Sequence, residues 1–214
     1  MSFSALDSVN KIREDVVEWF DAQCVEGEVN DPDNLRAVVE QEGVLSRADV
    51  WKKPPVHWLK CNIGSVWSRR NRFCGGAWIL RDAQGNVILH SRRSFGPILN
   101  HEDAMLRVVL WALESMASHR VDHVIFAFQD KALVGAVNRP GAWPSFKAQS
   151  VALKRSLLPF LVWKMEVEVA AANRGANLIA QSVIGDLRVN SYVASGHPSW
   201  LNRLFADERG LSSV

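Results

Sequence analysis

The sequence predicts an α/β domain in which three consecutive strands are followed by alternating helices and strands, closing into a five-stranded mixed sheet flanked by helices. Three observations carry this. Apolar residues make up 48% of the 214-residue chain, enough for a buried core. Between residues 58 and 95, runs of strand-forming residues are separated by turn residues. Beyond residue 100, stretches of helical apolar spacing alternate with two further strand-like runs.

The elements follow in order. Val9, Ile12, Val16, Trp19 and Phe20 recur at helical spacing, which predicts an amphipathic helix over about 8–24. Asp33 is placed to cap a second short helix whose apolar side is Leu35, Val38 and Val39, and Gly43 to end it. Pro54-Pro55 forces an extended backbone. Residues 1–50 are thus expected as a helical extension, 51–195 as the domain and 196–214 as a short helix and tail. Three strands are expected at Trp58–Trp67, Gly75–Arg81 and Val87–Phe95, with Asp82-Ala83-Gln84-Gly85 turning the second into the third. His101–Ser118 reads as a helix with Leu106, Val109, Leu110 and Leu113 in one stripe. Val121–Phe128 is apolar enough for a strand buried on both sides. Asp130–Asn138 and Phe146–Phe160 read as helices, Trp163–Val169 as the fifth strand, and Asn177–Ala194 and Pro198–Asp207 as the closing helices. Right-handed crossovers then put the first and fourth strands side by side.

Charge divides the chain unevenly. Residues 1–49 hold 12 acidic and 4 basic side chains, a net of −8, whereas residues 52–93 hold 9 basic and 1 acidic, a net of +8. The basic part is suited to phosphate, and the acidic part either folds back on it or is an ordinary solvated face. Cys24, Cys61 and Cys74 have neither zinc-ligand spacing nor a disulfide framework, so free thiols and no metal are expected. No apolar run is long enough for a membrane helix and no leader-like segment opens the chain, which leaves a nuclear or cytoplasmic location as the expectation.

Specific segments narrow the fold. Trp51-Lys52-Lys53-Pro54-Pro55 before Trp58-Leu59-Lys60-Cys61-Asn62-Ile63 resembles the start of the RNase H-type domain found in plant non-LTR retroelements. Ala77-Trp78-Ile79-Leu80-Arg81-Asp82 with Gly85, Leu110-Trp111-Ala112-Leu113-Glu114, Val124-Ile125-Phe126, Trp143-Pro144-Ser145-Phe146 and Arg174-Gly175-Ala176-Asn177 are similar to its later motifs, in the same order. The resemblance spans about 51–185 and implies an RNase H-like sheet in a domesticated relative of the retroelement domain.

It also implies a chemistry. In that family two Mg²⁺ ions, held by four carboxylates, activate water and stabilise the leaving oxygen in phosphodiester hydrolysis. Aligned motif by motif, the first-strand Asp is replaced by Gly64 or deleted, Met105 stands at the helix Glu, Gln129 at the fourth-strand Asp and Gln181 at the last-helix Asp. All four lack the charge that offsets dehydration of a dication. Glu102 and Asp130 are the possible substitutes, although a first-turn acid and a helix cap are the preferred readings of them. Asp103 has the same first-turn explanation, and Asp82 is better explained by the turn.

Binding does not need those carboxylates. Arg69, Arg70 and Arg72 at the first hairpin, with Arg92 and Arg93 on the third strand, are the expected contacts to RNA or an RNA–DNA hybrid, read by shape more than by base sequence. Trp58, Trp67, Trp78, Trp111 and Trp163 are expected in the core, and Trp143 and Trp200 are candidate contacts for a partner. The resulting expectation is a catalytically degenerate RNase H-like module that binds nucleic acid, or a nucleic-acid-associated protein, with no cofactor. An active hybrid nuclease with rearranged ligands, needing Mg²⁺, and a protein-interaction scaffold that keeps only the fold are the alternatives.

Overall fold

In the computed structural model, residues 50–186 and 191–211 are described. The helix expected over 8–24, the second short helix after Asp33 and the docking of the acidic extension lie outside the described residues.

The first three strands are β1 (Leu59–Ser68), β2 (Phe73–Arg81) and β3 (Val87–Phe95), paired antiparallel in succession. The β2–β3 turn forms as its sequence requires. The Asp82 carboxylate accepts from the Gln84 and Asn86 backbone N–H groups at 2.9 and 2.8 Å, and Gly85 takes the left-handed conformation at φ 88°. Helix α1 (His101–Ser118) follows, its N-terminus capped by Asn100, whose side-chain oxygen accepts from Asp103 N at 2.8 Å. Strand β4 (Val124–Phe128) is wholly buried and lies parallel to β1, from Leu59↔Val124 to Asn62↔Ala127. Helices α2 (Lys131–Asn138) and α3 (Lys147–Leu157) lead to β5 (Trp163–Val167), parallel to β4.

Helix α4 (Arg174–Asp186) ends earlier than the sequence suggests. The stretch 177–194, expected as one helix, ends instead in a strand, β6 (Tyr192–Ser195), which pairs antiparallel with β3. All five expected strands are present, and β6 makes a sixth, in the order β5-β4-β1-β2-β3-β6. Residues 196–214, expected as a short helix and tail, include α5 (Asn202–Leu211).

Helices α1, α2 and α3 cover one face of the sheet. Trp78, Met116, Phe126, Phe128, Leu133, Leu153 and their neighbours form the main core there. On the other face, Ala77 and Ile79 of β2 meet Ala176, Ile179 and Ala180 of α4, together with Leu201 and Phe205 near the C-terminus. This second core is smaller and holds side chains the first does not. Arg81 is 2% exposed, lies between the rings of Trp51 and Phe205 (4.1 and 4.4 Å), and is ion-paired with the buried Glu208.

Candidate nucleic-acid interface

The four positions at which the resemblance implies carboxylates fall in different surroundings. Gly64 and Gln129 are each two residues beyond the Asn62↔Ala127 pair, so they leave the same end of the β1–β4 ladder. Gly64 faces α4, and a Cβ placed on it would lie 2.5 Å from the Ala176 carbonyl carbon and oxygen and 2.8 Å from Asn177 N. Real side chains do not approach a backbone that closely, so the space is already filled by the first turn of α4. Met105 is buried in the core under α1, with the sheet between it and Gly64. Gln181 is exposed on α4, one turn beyond Asn177.

The possible substitutes have other engagements. The Asp130 carboxylate caps α2, accepting from Ala132 N at 2.8 Å and Leu133 N at 2.9 Å. Glu102 is an exposed first-turn acid of α1, beside Asp103.

A polar network fills the α4 side of β1 next to Gly64. Asn62 Oδ1 accepts from Trp51 Nε1 at 2.7 Å, and Asn62 Nδ2 donates to Asn173 Oδ1 at 3.1 Å. Asn173 Nδ2 in turn donates to the Ile63 carbonyl at 2.8 Å. The carboxylate in this network is Glu168, and it is neutralised by the buried Lys60 at 2.5 Å. Sequence reading missed Glu168, Asn173 and the buried role of Trp51, because nothing local marks a Glu after a strand as a partner for a Lys more than 100 residues earlier. The donors at these four positions do not fit a two-Mg²⁺ site, and among the described residues no group of three or more His, Cys, Asp or Glu side chains is placed to hold a metal. Cys61 and Cys74 are free and buried, and burial pushes both thiols up from their ordinary range, away from thiolate chemistry.

The five arginines expected at the interface do not share one surface. Arg69, Arg70 and Arg72 are exposed together on the β1–β2 hairpin. Arg93, opposite Gly76, is on the α1 face with its guanidinium 5.1 Å from the Phe95 ring. Arg92, opposite Ala77, is on the α4 face, donates to Ser182 Oγ at 2.9 Å and stacks over Tyr192. Successive strand residues point to opposite faces, so the Arg92-Arg93 pair was bound to separate. A second basic surface went unread although its signal is plain in the sequence. From Lys131 to Met165 there is no acidic residue, while Lys131, Arg139, Lys147, Lys154 and Arg155 are exposed on α2, α3 and the segment between them; Lys164 is exposed as well, but on the other side of the sheet, in register with Lys60. Lys147 and Lys154 border an open hollow of about 380 Å³ between α3 and the Pro140–Pro144 turn.

Of the two loop tryptophans, Trp143 packs locally: its indole fills the place of a side chain at Gly135, and its ring meets Phe146 edge-on at 5.9 Å. Trp200 is 57% exposed.

Residues 62–183 match the protein family described as reverse transcriptase-like. Among solved structures, RNase H1 from the halophilic archaeon Halobacterium salinarum is similar over 60% of this chain and 98% of its own, at TM-score 0.53 and 19% identity. LC11-RNase H1, solved in complex with an RNA/DNA hybrid, is similar over 60% of this chain and 98% of its own, at TM-score 0.52 and 16% identity. LC9-RNase H1, a type 1 RNase H with the type 2 active-site motif, is similar over 74% of this chain and 87% of its own, at TM-score 0.51 and 16% identity. These likenesses are of fold. No curated protein matches the chain.

Proposed function

The chain belongs to the reverse transcriptase-like family, and we propose that it uses the RNase H-like fold to bind RNA or RNA–DNA hybrid without cleaving it. The observation that carries the loss of cleavage is the filled space at Gly64. An absent carboxylate alone is reversible by one substitution, but here the α4 backbone occupies the volume an Asp side chain would need. The Glu168 carboxylate nearby is held by Lys60 and offers no net charge to a dication.

Binding is supported by the hairpin arginines and by the acid-free basic surface of α2 and α3, which supply phosphate contacts on exposed elements. It is supported at the level of fold by LC11-RNase H1, which was solved with a hybrid bound. A shape-reading surface of this kind distinguishes A-form-like duplexes from B-form DNA by groove width and 2′-hydroxyls. A retroelement-derived, plant-type origin and a nuclear or cytoplasmic location belong to the same proposal.

The test is a titration of the full chain against hybrid, duplex RNA and duplex DNA at two salt concentrations, with hydrolysis of labelled hybrid followed in Mg²⁺. Expected are salt-dependent binding that favours hybrid or RNA over DNA, and intact hybrid. Mg²⁺-dependent cleavage abolished by Glu102→Ala would establish the rearranged-ligand enzyme instead. Affinity that is weak and indifferent to salt would leave the protein-interaction scaffold.

A further inference from the structure

A slot opens on the α4 face of the sheet at the hairpin end. Its floor is Gly75 and Ser94, which face each other across β2 and β3, and its walls are Phe73 on one side and Val183 and Ile184 of α4 on the other. Asn71 stands at its rim, and with Ser94 it brings hydrogen-bonding groups to a lining that is otherwise apolar. Two features shape the slot. Gly75 has no side chain because Ala180 O would lie 2.2 Å from its Cβ, so α4 rides close to the strand there. Phe73 is held with its ring against Gly96, where a Cβ would lie 2.4 Å from the ring, yet it remains 41% exposed. The volume is about 220 Å³, below the roughly 300–1,000 Å³ of pockets that engulf a drug-sized ligand. That suits one planar ring system and leaves its substituents outside.

What lies outside is positive. Arg72 immediately precedes Phe73, and Arg69 and Arg70 share the same hairpin. These three are exposed, and none forms an ion pair among the described residues. An exposed aromatic ring on the same hairpin as three exposed arginines offers the two kinds of contact a nucleotide needs. The base stacks on the ring, and the phosphate meets the arginines.

We propose that this slot receives a single unpaired nucleobase, flipped or overhanging from a bound nucleic acid, with its flanking phosphates on Arg69, Arg70 and Arg72. The proposal rests on the nucleic-acid-binding reading and sharpens it. The duplex is held by shape, and a junction or end with one free base is held more tightly. Because every base has a stackable face, the slot selects for unpairing and is tolerant of sequence.

The experiment compares the full chain's affinity for a blunt RNA–DNA hybrid and for the same hybrid carrying one unpaired terminal nucleotide. The unpaired base should improve affinity, and Phe73→Ala should lower affinity for the overhang hybrid by roughly 5- to 150-fold while leaving the blunt hybrid unchanged. Phe73→Tyr should keep the advantage, and Ser94→Leu, which fills the floor while leaving the Phe73 ring in the sequence, should lose it. An abasic site at the unpaired position should remove it in the wild-type protein, a readout that does not depend on any variant folding. Equal affinity of the wild-type chain for both hybrids overturns the slot but leaves duplex binding in place. An advantage that survives the abasic substitution or Ser94→Leu also overturns it, and points to the extra phosphate or to a different surface. Absence of salt-dependent binding to either hybrid overturns both the slot and the reading beneath it.

Discussion

The two faces of the sheet are built on different principles. Under α1, α2 and α3, large side chains do the packing. Trp78 and Trp111 have ring centroids 6.2 Å apart, Phe126 meets Phe160 edge-on at 5.2 Å, and Met105 and Met116 fill the gaps between elements. Under α4 and α5, side chains are removed so that backbones can meet. Gly64 and Gly75 on the strands face Ala176 and Ala180 on the helix. Around that close contact sit ions that a normal core excludes, the Lys60–Glu168 and Arg81–Glu208 pairs. The first face is an interior. The second is closed at Gly64 by a helix that lies directly on the strand.

The contrast can be broken most severely from the apolar face. Trp78→Ala removes a fully buried ring, and its measured cost in chemical denaturation should be about 3–5 kcal/mol. On the other face, Arg81→Met removes the guanidinium ion-paired with the buried Glu208, and the loss should be about 3 kcal/mol. The double variant Arg81→Met/Glu208→Leu should recover most of it, since replacing both partners takes the buried carboxylate away with its guanidinium. A double variant no better than the single would mean that the ion pair itself holds α5.

A glycine pair sharpens the comparison further. Gly64→Ala drives a methyl into α4 backbone that cannot yield, whereas Gly76→Ala, on the opposite face, meets only the Phe95 ring edge and the Val108 methyls at 2.8 Å. Both should destabilise within about 1–3 kcal/mol, with Gly64→Ala the larger. Gly64→Asp should be destabilised likewise and should not gain Mg²⁺-dependent cleavage. Equal costs for the two alanine variants would show that α4 adjusts easily, and would weaken the case that the site is filled.

The smallest effect expected is at the β6 edge. His90 Nδ1 lies 2.8 Å from the Gly196 carbonyl and Nε2 lies 3.3 Å from the Tyr192 hydroxyl. Burial holds its imidazole below the ordinary histidine range, against the Gly196 hydrogen bond, which acts the other way. Below the unfolded value near 6.5 the unfolded chain therefore binds more protons than the folded one, and stability falls as pH drops through that range. His90→Gln should flatten this slope, as read from denaturation midpoints between neutral and mildly acidic pH.

Much of the fold was legible because its signals are local. The Asp82–Gly85 turn, the stripe on α1 and the dense apolar run of β4 each specify their own conformation. β6 was not legible. Its four residues, Tyr192–Ser195, are too few for their Tyr-Val pair to stand out as a strand, and they are held in one by pairing with β3, about 100 residues earlier in the chain. For the same reason Arg81 reads as an ordinary charge at the end of a strand and not as a buried cation, since Trp51, Phe205 and Glu208 arrive from distant segments.

The sequence by itself determined the order of the elements and the pairing of β1 with β4, and it placed Gly64, Met105, Gln129 and Gln181 where the resemblance implies carboxylates. Periodicity, turn chemistry and residue identity are properties of short stretches, and each can be read without knowing what lies opposite. Only the tertiary structure decided that the space beside Gly64 is occupied, that Arg92 and Arg93 serve different faces, and that Phe73 and α4 wall a slot. Those are facts about volume between segments far apart in the chain. Volume is fixed by how closely a helix approaches a sheet, and no single stretch of sequence carries that distance.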